Sequence, residues 1–284
     1  MKLVTFRTNQ GELRPGALVG ESVVDLLASD ASLPRSVRAI IAEGAIGQAA
    51  EIADQASAIY VSDAPLQAPL SDPIKIICIG LNYRDHALET GKPIPEEPIV
   101  FSKYATALVG PGAPIRLPAS SSQVDYEAEL VAVVGREAKD VSEEEGLDYI
   151  AGYTIGIDVS ARDWQRNKPG GQWMMGKTFD SFAPTGPAIV TRDEIPDPHA
   201  LGIRLRLNGQ TMQDSNTREL IFSVGKLVSY LSQVFTLEPG DLLFTGTPPG
   251  VGCARQPPVF LQPGDVCEVE IERLGMLRSV CQSA

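Results

Sequence analysis

The sequence predicts a mixed α/β fold that is mainly β, with a small α+β module at its N-terminus. Three observations lead there. From Ile74 onward, apolar runs of strand length recur between Gly and Pro turns. Only two convincing helices interrupt them, and the remaining helical periodicity is confined to residues 1–62. Many short strands with few helices favour closed or stacked sheets.

In residues 1–62, strands are expected at Leu3–Phe6, Ala17–Val19 and Ser22–Leu26. Helices follow at about Leu33–Ala42 and Ala45–Ser57, with Gly44 as the break. Ser62–Pro73 holds three prolines and two aspartates and reads as a linker. The chain thus divides into residues 1–70, module and linker, and 71–284, the main domain. There, strands are expected at Ile74–Ile79, Ile99–Phe101, Tyr126–Val134, Tyr153–Val159, Ala188–Thr191, Ile203–Leu207, Asp241–Thr245, Cys267–Ile271 and Leu277–Val280. Asn208-Gly209 marks a hairpin, and two Pro-Gly-Asp turns at 239–241 and 263–265 each announce a strand. The two helices are Tyr83–Glu89 and Ser223–Gln233.

The net charge of −12 argues against nucleic acid, which requires clustered Lys and Arg. It leaves anionic small substrates open, because a bound cation inverts a local field. No apolar stretch has the length of a signal peptide or a membrane span, and the four cysteines form no C-x-x-C pair. The expectation is a cytoplasmic protein with reduced thiols and no membrane partner.

Glu127 and Glu129 are two apart on a strand, so they share a face, and the strand continues into an apolar run. Either they are exposed on an edge strand, or they are partly buried and a cation relieves their repulsion. The apolar strand Tyr153–Ile157 ends on Asp158, which reads as a site residue or a turn cap. Three carboxylates without Cys or His favour a hard ion such as Mg²⁺ or Mn²⁺ over zinc. His86 and Glu89 stand at i and i+3 on a short helix, where a carboxylate can fix the imidazole tautomer and make it a base. The pair also suits an ordinary helix surface. Lys177 reads as a partly buried cation able to stabilise an enolate, or as a lysine snorkelling from a core strand. The loop Thr245–Gly252 is rich in backbone amides suited to holding a carboxylate. Loop 91–98, a candidate lid, and Asn167–Trp173 are expected to set the distal group of the substrate.

Taken in order, these segments resemble the fumarylacetoacetate hydrolase family, especially its domain-containing-protein-2 branch. The matching features are Gly80-Leu81-Asn82-Tyr83 with Asp85-His86, Glu127-x-Glu129, Asp158-x-x-x-Arg162-Asp163, Gly176-Lys177-x-Phe179-Asp180, Asn216-Thr217 and Thr245 to Gly252. The resemblance implies a β-sandwich roll, usually a homodimer, with Glu127, Glu129 and Asp158 binding Mg²⁺, Mn²⁺ or sometimes Ca²⁺. It implies His86, Glu89 and Lys177 as catalytic groups, and Tyr83, Arg162, Gln165 and Thr247 as substrate-binding positions. Where the founding hydrolase has a fourth carboxylate ligand, Leu81 and Asn82 stand here, so three are expected. The reading placed first is hydrolysis of a carbon–carbon bond in a 2,4-dioxo acid, such as an acylpyruvate, a fumarylpyruvate or a diketo sugar acid. The alternatives are decarboxylation or keto–enol tautomerisation of an oxaloacetate-like acid, lyase chemistry on a sugar acid, and non-enzymatic carboxylate binding.

Overall fold

The computed structural model describes residues 1–55 and 57–284. It is mainly β. The frame is a large mixed sheet whose strands lie in the spatial order Tyr60–Val61, Ser22–Asp25, Leu13–Val19, Lys2–Arg7, Ala183–Thr191, Ile150–Ile157, Ala128–Val134, Leu242–Phe244, Ile76–Gly80 and Ile99–Lys103. Leu242–Phe244 and Ile76–Gly80 run parallel, and the other neighbours on this path are antiparallel. A second sheet contains Gln210–Asn216, Gly202–Leu207, Val266–Ile271, Gly275–Ser283 and Ile115–Leu117. Alternate residues of Gly202–Leu207 are buried. Its inward side chains Ile203, Leu205, Val269 and Leu277 join the same apolar core as Leu130, Ile155 and Phe244.

The N-terminal segment is not detached from this frame. Leu3 pairs with Ile189 and Lys2 with Val190, so its strands extend the large sheet. The stretch read as a linker runs beside Lys2–Arg7: Arg7 N donates to Pro65 O, and Gln67 N to Thr5 O. Besides a short helix at Leu26–Ser29, the helices there are Val37–Ala42, capped by Ser36, and Ile46–Ala53. Both are shorter than expected, and residue 56, inside the second expected span, lies outside the described residues.

Ala128–Val134 is buried at every position and is flanked on both sides by apolar strands. Its N-terminal end faces the corner where Ile76–Gly80 turns into the helix Arg84–Glu89. Asn82 fixes this corner. Its Nδ2 donates to Phe222 O and Thr245 O, and its Oδ1 accepts from Phe222 N. Asn82→Ala would leave three buried backbone groups unpaired and is expected to lower stability by about 3 kcal/mol. Urea unfolding measures this, and a loss below about 1 kcal/mol would contradict the role given to Asn82.

Candidate active site

Glu127 directly precedes the central strand, Glu129 is its second residue, and Asp158 follows the end of the neighbouring strand Ile150–Ile157. Asp158 N donates to Glu127 O, which locks the two strand ends together. Glu127 is 6% exposed, and Glu129 and Asp158 are each 1% exposed. The exposed-edge alternative is thereby excluded. One oxygen from each carboxylate lies within 4.8 Å of the others.

Buried cations surround this cluster. Lys177 Nζ donates to Glu127 Oε2 at 2.5 Å and to Asp158 Oδ2 at 2.7 Å. Arg162 binds Glu127 Oε1 and, through Nε, Asp125 Oδ2. Lys103, on the strand Ile99–Lys103, sits 2.7 Å from Asp158 Oδ1, but it donates to the carbonyls of Val159, Lys177 and Phe182. Asp158 Oδ1 therefore accepts no hydrogen bond although it is buried. Among the described residues Glu129 has no cation at hydrogen-bonding distance, and its Oε2 accepts only from Gly246 N. Burial, together with the charges of Asp158 and Glu127, pushes the Glu129 carboxyl well above the usual range. Glu127 moves the other way. Burial raises it, but Arg162 and Lys177 outweigh burial and hold it low.

A buried carboxylate oxygen that accepts no hydrogen bond, a neighbouring carboxyl without a cation in contact and an all-oxygen donor set fit a hard divalent cation. Among the described residues no other group of three acidic, His or Cys side chains meets the same closeness.

The cluster opens into a cavity of about 510 Å³ lined by His86, Glu89, Arg162, Gln165, Lys177 and Thr247, among others. His86 Nδ1 is 3.0 Å from Glu89 Oε2, and Glu89 Oε1 accepts from Gly250 N. His86 Nε2 has no hydrogen-bond partner among the described residues. Burial raises the Glu89 carboxyl, but the bonds from His86 and Gly250 outweigh it and leave it below the usual value. Gln165 Oε1 accepts from Arg162, while the Thr247 hydroxyl donates to Ala128 O and accepts from Gln213.

Of the ten side chains expected at the site, nine line this cavity. Tyr83 is the exception: it is fully buried and does not line it. Lys177 ends the helix Trp173–Lys177 and does not come from a core strand. The loop Thr245–Gly252 does hold carboxylates, but they are the protein's own: Gly246 N binds Glu129, Gly250 N binds Glu89 and Gly252 N binds Asp125. Lys103 and Asp125 escaped the sequence reading. Lys103 ends a strand that is otherwise exposed or half-buried, where a lysine reads as an edge charge. The one signal for Asp125 is its place two residues before Glu127, at the same spacing that separates Glu127 from Glu129.

Because Glu129 is more basic in the fold than in the unfolded chain, its contribution to stability is fullest below about pH 4.5, the unfolded value, and falls as pH rises. Glu129→Gln is thus expected to raise the melting temperature of the metal-free protein at pH 8 and to abolish any further rise with MgCl₂. A lower melting temperature, or an undiminished response to MgCl₂, would contradict the charge assignment.

Residues 75–282 match the family model described as fumarylacetoacetate (FAA) hydrolase C-terminal. The chain is 48% identical over 287 residues to the mitochondrial oxaloacetate tautomerase of Xenopus laevis, covering 98% of this chain and 89% of that one. It also resembles the solved fumarylacetoacetate hydrolase from psychrophilic Exiguobacterium antarcticum, with a TM-score of 0.87, 33% identity and full coverage of both chains. A third relative is the 5-carboxymethyl-2-hydroxymuconate delta-isomerase from Mycobacterium smegmatis, with a TM-score of 0.79, 35% identity, and coverage of 100% and 99%. The Xenopus protein is described as mitochondrial, so it lends no support to the cytoplasmic expectation. Among the described residues no helix is long and apolar enough to cross a membrane. Sequence and fold agree over nearly the whole length, and the chain belongs to the fumarylacetoacetate hydrolase family, a family of enzymes.

Proposed function

We propose that the protein is a keto–enol tautomerase acting on oxaloacetate or a closely related 2-oxo acid, with Mg²⁺ or Mn²⁺ held by Glu127, Glu129 and Asp158. One observation carries this reading: a single proton-transfer dyad, His86–Glu89, lines the same cavity as the buried Lys177 cation. Tautomerisation needs one group to move a proton between carbon and oxygen, and a positive charge to stabilise the enolate between the two transfers. Hydrolysis of a 2,4-dioxo acid, placed first from the sequence, asks the same dyad to activate water and then to assist the departure of a carbanion. The 48% identity to a protein named oxaloacetate tautomerase supports the simpler chemistry.

His86 takes a proton from the carbon next to the 2-oxo group through Nε2 and returns it to the enolate oxygen; in the reverse direction it works from enol to ketone. Glu89 stays ionised and accepts from Nδ1–H, which presents Nε2 as the reacting nitrogen. Burial disfavours the charged form of Lys177, but Asp158 and Glu127 outweigh this and raise its pKa. It therefore remains an ammonium, stabilises the enolate and does not act as a base. Gln165 has its oxygen engaged by Arg162, so its amide NH₂ is the part left to donate to the substrate carboxylate. A bound divalent cation supplies Lewis-acid polarisation of the 2-oxo group and offsets the surplus carboxylate charge.

The decay of enol-oxaloacetate absorbance tests this reading. Turnover is expected with MgCl₂ or MnCl₂ and is lost with chelator, and His86→Ala is expected to lower kcat by roughly 10²–10⁴-fold. Faster cleavage of acetylpyruvate than conversion of enol-oxaloacetate, or an unchanged rate in His86→Ala, would overturn it.

A further inference from the structure

The same cavity has two further cations, Lys92 and Arg166, for which the mechanism above has no use. Their situation differs from that of the inner cations. Lys103, Arg162 and Lys177 are buried and in contact with Asp158, Asp125 or Glu127. Lys92 and Arg166 are exposed at the cavity, and among the described residues neither makes a salt bridge. Arg166 Nη2 reaches only Cys253 Sγ, at 3.4 Å. A thiol sulfur is a weak acceptor and leaves the guanidinium charge and its remaining donors unanswered.

Most acids lining the cavity are already committed: Glu89 to His86 and Gly250, Glu127 to Arg162 and Lys177, and Asp158 to Lys177, while Glu129 accepts from Gly246 and pairs with neither Lys92 nor Arg166 among the described residues. In a chain with a net charge of −12, acid is in surplus. Two unpaired cations converging on one concave surface therefore suit an anion that arrives from outside. Their backbones are anchored. Arg166 lies on the helix Arg162–Asn167, one residue beyond Gln165, and Lys92 N donates to Ala87 O at the end of the helix Arg84–Glu89. Lys92 falls in the loop, and Arg166 directly precedes the segment, expected to face the distal group of the substrate.

We propose that Arg166, assisted by Lys92, receives the distal carboxylate of a dicarboxylic 2-oxo acid, so that the site selects such acids over monocarboxylic ones. This rests on the 2-oxo acid reading above. The 2-oxo acid end, which every such substrate shares, belongs with Lys177 and the cation that the inner carboxylates would hold. Arg166 reads the end that differs, and its planar fork suits a carboxylate.

The test uses two stable ligands that differ by the distal carboxylate, L-malate and L-lactate, titrated calorimetrically into the full chain with MgCl₂. The wild type is expected to bind malate roughly 10- to 100-fold more tightly than lactate. Arg166→Met should abolish that preference without changing lactate affinity, and Lys92→Met should reduce it by a smaller factor. Unchanged lactate binding also shows that the variants are folded. A wild type that does not discriminate, an Arg166→Met variant that still prefers malate, or one that loses both ligands equally would overturn the inference. If enol-oxaloacetate is not turned over but the Arg166-dependent preference is present, the receptor stands and the tautomerase reading falls.

Discussion

Four carboxylates and three cations share one buried corner of this protein, and the rest of the site answers to that imbalance. Asp125, Glu127, Glu129 and Asp158 are opposed by Lys103, Arg162 and Lys177, all at most 6% exposed. The three cations settle on Asp125, Glu127 and Asp158, leaving Glu129, among the described residues, without a cation in contact. In a low-dielectric pocket such a group either holds its proton or acquires an external positive charge. A site that is poised rather than neutral therefore has a reason to take up a divalent cation, and Arg162 and Lys177 line the cavity where the proposed reaction would develop enolate charge.

The fold holds that imbalance in place with backbone, not with further charge. The loop Thr245–Gly252 gives separate amides to Glu129, Glu89 and Asp125, so one segment fixes a carboxylate of the cluster, the carboxylate of the dyad and the anchor of Arg162. Gly246 can do this because its φ is +103° and a Cβ there would lie 2.8 Å from Asn82 Cβ. Lys103 has a parallel role on the other side. By donating to the carbonyls of Val159, Lys177 and Phe182 it ties three segments together beneath Asp158. The proposed proton-transfer groups thus rest on elements whose positions are fixed by many short, directional bonds.

What the sequence disclosed was whatever local geometry can encode. Period-two spacing put Glu127 and Glu129 on one face, a strand end exposed Asp158, and helical spacing joined His86 to Glu89. The mainly β class was legible from strand-length apolar runs. Relations across the chain were not. Nothing near Lys2 and Leu3 announces pairing with Val190 and Ile189, so a strand of the large sheet read as part of an appended module. Lys103 gave no sign of burial, because the residues before it on its strand are exposed or half-buried, and Tyr83 shared a motif with site residues while its ring turned into the interior. The choice between hydrolysis and tautomerisation is equally hidden, since each would pass through an enolate of a 2-oxo acid and call on the same side chains.

The most direct test is where a metal goes. In crystals of the full chain soaked with MnCl₂, the anomalous difference density of manganese is expected to show one strong peak among the carboxyl groups of Glu127, Glu129 and Asp158. A peak elsewhere, or none there at saturating Mn²⁺, would contradict the account.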